Sequence, residues 1–382
     1  MEQSNPLLVQ ELLEHCIAYL DHSPRDLKAC ALVSRLWVYA AQSRLFRAPN
    51  ITDPSTLIPE LSWAPFLKTL DSSPHLIPHI RHLKIQSLGP EAVATLSRIC
   101  SVHYTHLETV TFRYPGDLQG SAVTAFQRLL ALPTLRCVKI LECDFNDPKY
   151  FAALWEGCAL GIRHVVLNCG TERPNSFASQ SLPPRGNTGS VPRLESLNLQ
   201  STQMLDYQLL KYSCPFDLSR LKMLRVGWRA LVPWQIFAPV VQSIETLHIV
   251  LNRTTTSISL ASFPNLTVLR LYIPDWIPAP NRLTQVERLF SSFGTPTAHA
   301  NANTLRKIII FPGLGTRQPP MDSALCTQFD SSLSNLPMTP GLVVELELDA
   351  ETYEGVWPYF PRLNALNALR RSDSFHWAGT EW

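Results

Sequence analysis

The amino-acid sequence predicts an α/β protein in which a short three-helix module precedes an irregular solenoid of about ten strand–helix units. Two observations lead to this fold class. An apolar triplet typical of a short strand recurs ten times along the chain. The first 50 residues instead show the longer spacing of amphipathic helices. Of the 382 residues 45% are hydrophobic and 17% are charged, so the chain has ample apolar material for a core.

The N-terminal module begins with a helix whose apolar residues fall at helical spacing from Val9 to Leu20. The pair Ser23-Pro24 predicts the start of a second helix, because serine is a favoured N-cap and proline is favoured at the first helical position. A third apolar run begins at Trp37. Three short helices bury little surface of their own, so we expect this module to cap the repeats or to bind a partner.

The repeated triplet has the pattern apolar-x-x-apolar-x-apolar, as in Ile80, Leu83 and Ile85. Most middle residues lie 22–28 positions apart, which is the spacing of strand–helix repeats. Helical patterns over 91–100, 122–130 and 282–293 fall between triplets. Another α/β protein with parallel strands would also carry apolar triplets, and this remains the alternative. The ten middle residues are Leu83, Val110, Val138, Val165, Leu197, Leu224, Leu247, Leu269, Ile308 and Leu346.

The spacing of apolar and charged residues in the N-terminal module forms a motif that extends almost to its end. Its members are Leu8, Glu11-Leu12-Leu13, Ile17, Leu20-Asp21, Asp26-Leu27, Leu32-Val33-Ser34-Arg35, Trp37 and Leu45-Phe46. This motif resembles the F-box of F-box proteins, and it departs from the family at Val9, where proline is usual. The triplets resemble leucine-rich repeats in a degenerate form, because only Cys143 and Asn252 match the family's Asn or Cys position.

These resemblances imply a division of the chain into four parts. Residues 1–50 form the F-box, 51–78 a connecting helical segment, 79–351 the leucine-rich-repeat-like solenoid, and 352–382 a C-terminal cap and tail. Polar, proline-rich stretches at 171–192, 295–303 and 312–320 are expected to be insertions in the solenoid.

An F-box implies binding to a Skp-type adaptor and, through it, to a cullin–RING ubiquitin ligase. An F-box followed by leucine-rich repeats resembles the layout of substrate receptors, as in the large F-box sets of fungi. The alternative is a repeat scaffold whose helical N-terminus is only a cap, in which case the same residues are the module's own core. The resemblance implies an adaptor-binding set of Leu8, Val9, Leu12, Leu13, Ile17, Leu32, Val33 and Trp37.

Motifs that would indicate an enzyme are missing from the sequence. It contains no phosphate-binding G-x-x-x-x-G-K-[ST] loop and no G-x-S-x-G elbow. The pairs His79/His82 and His103/His106 have half of a zinc-site spacing, but no C-x-x-C or H-E-x-x-H accompanies them. We therefore expect no catalytic residues, no cofactor and no metal. A hydrolase with dispersed catalytic residues is the least favoured alternative.

Charge and targeting signals are also weak. The formal net charge is +2, which gives no reason to expect nucleic acid as a partner. No stretch has the length and hydropathy of a membrane helix, and the first residues do not resemble a signal peptide. The nine cysteines contain no C-x-x-C and are interpreted as reduced. We expect no membrane partner and a location in the cytoplasm, the nucleus or both.

The residues that alternate with the buried triplets would face the concave side of a leucine-rich solenoid, and several of them are basic. We hypothesise that this face binds an acidic or phosphorylated segment of a substrate protein, because arginine offers paired donors to such groups. The alternative is that these cations only keep the face solvated. The candidate substrate-binding residues are Lys84, Arg113, Lys139, Arg225, Arg270 and Tyr272.

Overall fold

The computed structural model describes most of the chain, in fifteen ranges. Its contacts group the chain into two compact units, the first from residues 1–192 with 212–216 and the second from 193–211 with 217–382. The division falls inside the predicted solenoid. The described ranges are 10–21, 23–52, 63–86, 93–118, 120–145, 148–170, 191–200, 214–227, 237–250, 260–273, 289–290, 304–312, 323–334, 342–347 and 350–371.

The predicted three-helix module is confirmed as helices α1 (Gln10–Ala18), α2 (Pro24–Val33) and α3 (Arg35–Leu45). Proline opens α2 as predicted, but the hydroxyl of Ser23 accepts no hydrogen bond from the free backbone N–H groups of α2 and instead donates to the Asp26 carboxylate. Extended backbone at the next serine separates α2 from α3. The core of the module consists of Ile17, Leu27, Ala40 and Ala41, with partly buried side chains packed around it.

The rest of the first unit alternates strands and helices. Its strands β1 to β5 pair in chain order and in parallel, the arrangement that helical crossovers require. The elements are β1 (Asn50–Thr52), α4 (Trp63–Ser72), a 3-10 helix (Pro74–His79), β2 (His82–Gln86), α5 (Val93–Cys100), β3 (Thr109–Asp117), α6 (Gly120–Leu130), β4 (Cys137–Asp144), α7 (Pro148–Leu154) and β5 (His164–Gly170).

The second unit contains strands β6 to β12, which also pair in chain order and in parallel. Its strands are β6 (Ser196–Leu199), β7 (Met223–Val226), β8 (Thr246–Val250), β9 (Val268–Ile273), β10 (Lys307–Pro312), β11 (Val343–Leu346) and β12 (Leu369–Arg371). Its helices are α8 (Ser323–Ser334), α9 (Ala350–Val356) and α10 (Pro361–Ala365), with 3-10 turns at Val241–Ser243, Leu260–Ser262 and Trp357–Tyr359.

The ten apolar triplets coincide with strands β2 to β11. Every middle residue of a triplet is buried, with at most 1% of its surface exposed. Burial of one apolar face on each strand supplies the main stabilising term for such a fold. The predicted α/β class with parallel strands is therefore confirmed, and so are the helical segments at 91–100 and 122–130.

Two strands are additional to the sequence prediction. Strand β1 crosses the predicted boundary at residue 50, and β12 lies in the predicted C-terminal cap. Each has only three residues, too few to show the triplet pattern. The predicted helix at 282–293 and the three predicted insertions lie wholly or largely outside the described residues. Among the described residues, no helix has the length and hydropathy needed to cross a bilayer.

Candidate functional site

Exposed apolar side chains concentrate where α2 meets α3. The α2–α3 corner consists of Leu32, Val33 and Leu36, which are 87%, 70% and 47% exposed. Extended backbone at Ser34 turns the chain here, so the last turn of α2 and the first turn of α3 both present apolar side chains to solvent. On α1, Leu12 is 44% exposed. Apolar side chains this accessible have no role in the module's own core.

The predicted adaptor-binding set divides into buried and exposed residues. Leu13 and Ile17 are fully buried. Trp37 is half-buried and packs against the core of the three-helix module. The exposed members of the set are Leu12, Leu32 and Val33. Leu8 and Val9 lie outside the described residues.

In the first unit, the two predicted substrate-facing lysines lie on the strands that flank β3. Lys84 on β2 aligns with Thr111 on β3, which aligns with Lys139 on β4, and all three side chains are half-buried. Arg113 lies two residues further along β3 and is exposed. Its guanidinium donates two hydrogen bonds to Glu142, at 2.6 and 2.7 Å, and this raises the pKa of Arg113. The charge of Arg113 is thus matched by a neighbouring carboxylate.

The pairing with Glu142 places a carboxylate beside the predicted substrate-facing residues of the first unit. Simple alternation along β4 places Glu142 on the same side as the buried Ile140. The register shifts between Leu141 and Cys143, however, and Glu142 takes a positive φ of 54°. A bulge of this kind re-aims one side chain, and here it brings the carboxylate to Arg113.

In the second unit, four polar side chains occupy equivalent positions on adjacent strands. Asn198 on β6 aligns with Arg225 on β7, then with His248 on β8 and Arg270 on β9. Neighbouring positions in a parallel sheet lie about 4.8 Å apart. We call these four residues the polar row. All four alternate with fully or nearly fully buried leucine, isoleucine and valine residues on the opposite strand face.

The polar row is largely withdrawn from water. Asn198 is 1% exposed and His248 is 5% exposed, while Arg225 and Arg270 are half-buried. Burial, and then the positive charge of Arg270, lowers the pKa of Arg225 to about 10. Burial also lowers the pKa of His248 to about 3, with further contributions from Arg270 and Arg225. His248 is therefore neutral near pH 7, and the positive charge of Arg270 disfavours that of Arg225.

Hydrogen bonding in the polar row is incomplete among the described residues. Neither the amide nitrogen nor the amide oxygen of Asn198 has a described partner, and the same is true of Nε of Arg270. Leaving a buried polar atom unpaired costs about 1–3 kcal/mol. No described carboxylate forms an ion pair with Arg270. Glu345 lies two strands away in the same register, and it binds Lys307 at 2.7 Å.

An aromatic pair lies beside the polar row, two residues further along the strands. Tyr272 aligns with Val250 on one side and with Phe311 on the other. The rings of Tyr272 and Phe311 stack with centroids 5.2 Å apart. Val250 and Phe311 are buried and Tyr272 is half-buried. The arginines of the polar row are therefore next to apolar and aromatic side chains in this unit.

The paired histidines of the sequence do not gather into a metal site. His79 ends a 3-10 helix and packs edge-on against Tyr39, while His82 begins β2. Burial lowers the pKa of both. His106 hydrogen-bonds the carbonyl oxygen of Pro78 at 2.9 Å. Within the described ranges, no group of three or more potential metal ligands occurs.

A cavity of about 350 Å³ lies in the first unit between the three-helix module and the first repeats. Its arginines are largely matched by acids, because Arg44 binds Asp21 at 2.9 Å and Arg81 binds Glu108. It is lined by Glu14, Tyr39, Ser43, Arg44, Arg47, Pro78, His79, Arg81 and His106.

Compared with known proteins, the chain matches no protein-family model, and no curated protein sequence matches it significantly.

Proposed function

We propose that this protein is a substrate-recognition subunit of a Skp–cullin–F-box type ubiquitin ligase. The three-helix module binds the Skp-type adaptor, and the repeat solenoid binds a substrate protein. Ubiquitin transfer takes place on other subunits, so the chain itself contributes binding surfaces and no catalytic residues.

The observation that carries the proposal is the exposure of the α2–α3 corner within a module that resembles an F-box. Leu32 and Val33 belong to the motif on which that resemblance rests, and they are 87% and 70% exposed. Burying a leucine or valine side chain is worth about 1.5–3 kcal/mol. An apolar corner that the module cannot cover by itself supports a protein partner at this position.

The buried residues of the motif support the same proposal in a different way. Leu13 and Ile17 are fully buried, and Ile17 of α1 packs in one core cluster with Leu27 of α2 and Ala40 of α3. They shape the surface that Leu12 and the α2–α3 corner present. We therefore expect substitution of Leu13 to act on folding, and substitution of Leu32 to act on binding.

The adaptor test compares wild type with a Leu12→Asp/Leu32→Asp variant, using a purified Skp-type adaptor and calorimetry. Each change places a charge in the proposed apolar contact and leaves the module's core intact. Loss of apolar anchors typically costs at least about 2 kcal/mol, so we expect the Kd to rise by about 30-fold or more. Leu160→Asp is the matched control, because Leu160 is an exposed leucine of the same unit, 51% accessible, outside the module.

Circular dichroism and thermal unfolding establish that the variants are folded. Equal affinity of wild type and the double variant would remove the proposed contact. Absence of adaptor binding by wild type would favour the scaffold alternative, in which the three-helix module only caps the repeats.

A further inference from the structure

A row of arginines lies where the strands of the first unit begin. Immediately before β2, β3, β4 and β5, one backbone N–H donates to the carbonyl oxygen of the equivalent residue one repeat earlier, at 2.8–3.0 Å. These bonds join five residues on neighbouring segments, which we call the rim. The rim carries four cations and one acid, and none of its residues belongs to the substrate-binding set predicted from the sequence. Its members are Arg47, Arg81, Glu108, Arg136 and Arg163.

The second unit shows that the backbone at these positions does not require arginine. The same hydrogen-bond pattern there joins Glu195, Lys222, Glu245, Thr267 and Arg306. Acids and bases are equal in number in that row, and Lys222 forms an ion pair with Glu245 at 3.2 Å. Because equivalent positions accept either sign of charge, the excess of arginine in the first unit needs an explanation other than the fold.

Two of the rim arginines have no acidic partner in the described part of the chain. Arg81 is paired with Glu108. Arg47 and Arg136 are exposed and take part in no ion pair there. The guanidinium of Arg136 donates to the carbonyl oxygen of Gly161 at 3.0 Å, which holds the group in place without neutralising its charge. Both guanidinium groups can therefore bind an anion from solution.

The rim extends into the cavity between the three-helix module and the first repeats. Arg47 and Arg81 both line this cavity of about 350 Å³, together with Tyr39 and His79. Three arginines and one carboxylate, that of Glu14, are found among its described lining residues. An acidic side chain of a ligand can therefore enter the cavity and approach the guanidinium of Arg47.

The surroundings of His82 show that positive charge prevails near the rim. Burial is the largest cause that lowers the pKa of His82, and the charge of Arg47 is the next. Lys139 and Arg81 lower this pKa further, whereas Glu108 alone raises it. A surface whose cations outweigh its acids in this way attracts negatively charged ligands.

The spacing of the two unpaired arginines restricts the chemistry of the ligand. Arg47 and Arg136 lie three strand spacings apart, about 14 Å, and an extended peptide covers that distance in about four residues. Glu108 lies between them in the row. A strand of nucleic acid, with a phosphate on every nucleotide, would place negative charge against this carboxylate. A peptide with two acidic side chains separated by three uncharged residues would not.

We propose that the rim binds an extended acidic segment of a protein, with one carboxylate on Arg47 at the cavity and a second carboxylate, four residues away, on Arg136. That this segment belongs to a substrate of a ubiquitin ligase rests on the proposed function. Binding of the acidic segment itself rests only on the rim.

The test measures binding of a synthetic nonapeptide to the full chain by fluorescence anisotropy. The peptide consists of threonine and glycine with two glutamates four positions apart, and it has blocked ends and an uncharged dye. We expect saturable binding at about 0.05 M salt that weakens about tenfold at about 0.5 M, because salt screens exposed charges. Two comparison peptides, one with both glutamates replaced by glutamine and one with the glutamates adjacent, should bind at least about fivefold more weakly.

Arg47→Gln and Arg136→Gln each remove one cation of the proposed contact. Each should raise the Kd of the two-glutamate peptide about threefold, and the double variant should raise it about tenfold. Arg306→Gln is the matched control, because Arg306 is exposed and lies in the corresponding row of the second unit. Circular dichroism confirms the fold of each variant.

Four results would overturn the assignment: no saturable binding of the two-glutamate peptide, equal binding of either comparison peptide, an equal loss in Arg306→Gln, or equally tight binding of a thymidine oligonucleotide of the same length. Adaptor binding is measured separately on the same samples. If the peptide fails and the adaptor binds, the rim assignment is wrong and the proposed function stands. If the adaptor fails and the peptide binds, the rim is a site for acidic peptides and the proposed function is wrong.

Discussion

The arginines on the strand faces of the two units differ in their exposure and in their surroundings. In the first unit, Arg113 is exposed and its guanidinium forms two hydrogen bonds with Glu142. In the second unit, Arg225 and Arg270 are half-buried on either side of His248. Exposed, paired cations contribute solvation and little stability, whereas partial burial and the nearby charge of Arg270 disfavour the charged form of Arg225 and lower its pKa. The comparison indicates that residues of one type, at equivalent places in a repeat, serve different purposes.

The largest expected effect is the contribution of His248 to the loss of stability at low pH. Because burial and the two arginines hold its pKa near 3, well below the ordinary 6.5, the unfolded chain takes up a proton that the folded chain does not as pH falls below about 6.5. Stability is thus lost toward low pH, by about 1.4 kcal/mol for each pH unit between those two values. In His248→Gln this slope should be shallower by that amount, as measured by urea unfolding from pH 7 to pH 4.5.

The control for that experiment is His103→Gln, at an exposed position of the first unit. Its unfolding free energy should keep the pH dependence of wild type. An unchanged slope in His248→Gln would show that His248 does not remain neutral in the folded protein, and the contrast between the two strand faces would lose its main support.

A smaller effect is expected from Asn198. Replacing a buried amide that has no hydrogen-bond partner among the described residues with an apolar side chain of similar size removes a desolvation penalty. Asn198→Leu should raise the unfolding free energy by about 1–2 kcal/mol in urea titrations. The same exchange at half-buried Asn168, on β5 of the first unit, should change it by no more than about 0.5 kcal/mol. A loss of stability in Asn198→Leu would mean that the amide is satisfied in the folded chain.

The smallest expected effect is the coupling energy of the exposed ion pair in the first unit. Arg113 and Glu142 are each close to half exposed, and exposed ion pairs are worth about 0.2–1 kcal/mol. A double-mutant cycle with Arg113→Gln and Glu142→Gln should give a coupling energy in that range, falling as salt is raised from 0.05 to about 0.5 M. A coupling above about 2 kcal/mol would place this pair in the same class as buried charges and erase the distinction between the units.

Much of the fold follows from local pattern. The triplets predict ten strands because alternate apolar residues on a strand must leave water together, and the middle residues Leu83 to Leu346 are all buried. The N-terminal helices follow from spacing and from the pair Ser23-Pro24. Strands β1 and β12 were not predicted, because a strand of three residues is too short to show the apolar triplet. They are defined by their pairing with a neighbouring strand.

The sequence predicted which residues belong to the candidate sites. It did not predict which of their charges are paired or which of their side chains are exposed. Alternation alone places Arg113, Arg225 and Arg270 on one face of their strands. It does not indicate which of them has a carboxylate within reach. The register shift at Glu142 pairs it with Arg113, whereas Arg270 is half-buried and has no described carboxylate in an ion pair with it. Likewise, the motif names Leu13 and Leu32 together, although one is core and the other solvent-exposed.

Sequence by itself therefore determined the parallel α/β class, the number of repeats with a full apolar triplet, and the three N-terminal helices, because each depends on periodicity within a few residues. Only the tertiary structure decided which charges are neutralised, which polar atoms are buried without a partner in the described part of the chain, and which apolar residues remain exposed. These properties depend on neighbours 20 or more residues away along the chain, such as Arg113 and Glu142, and on the water that packing excludes.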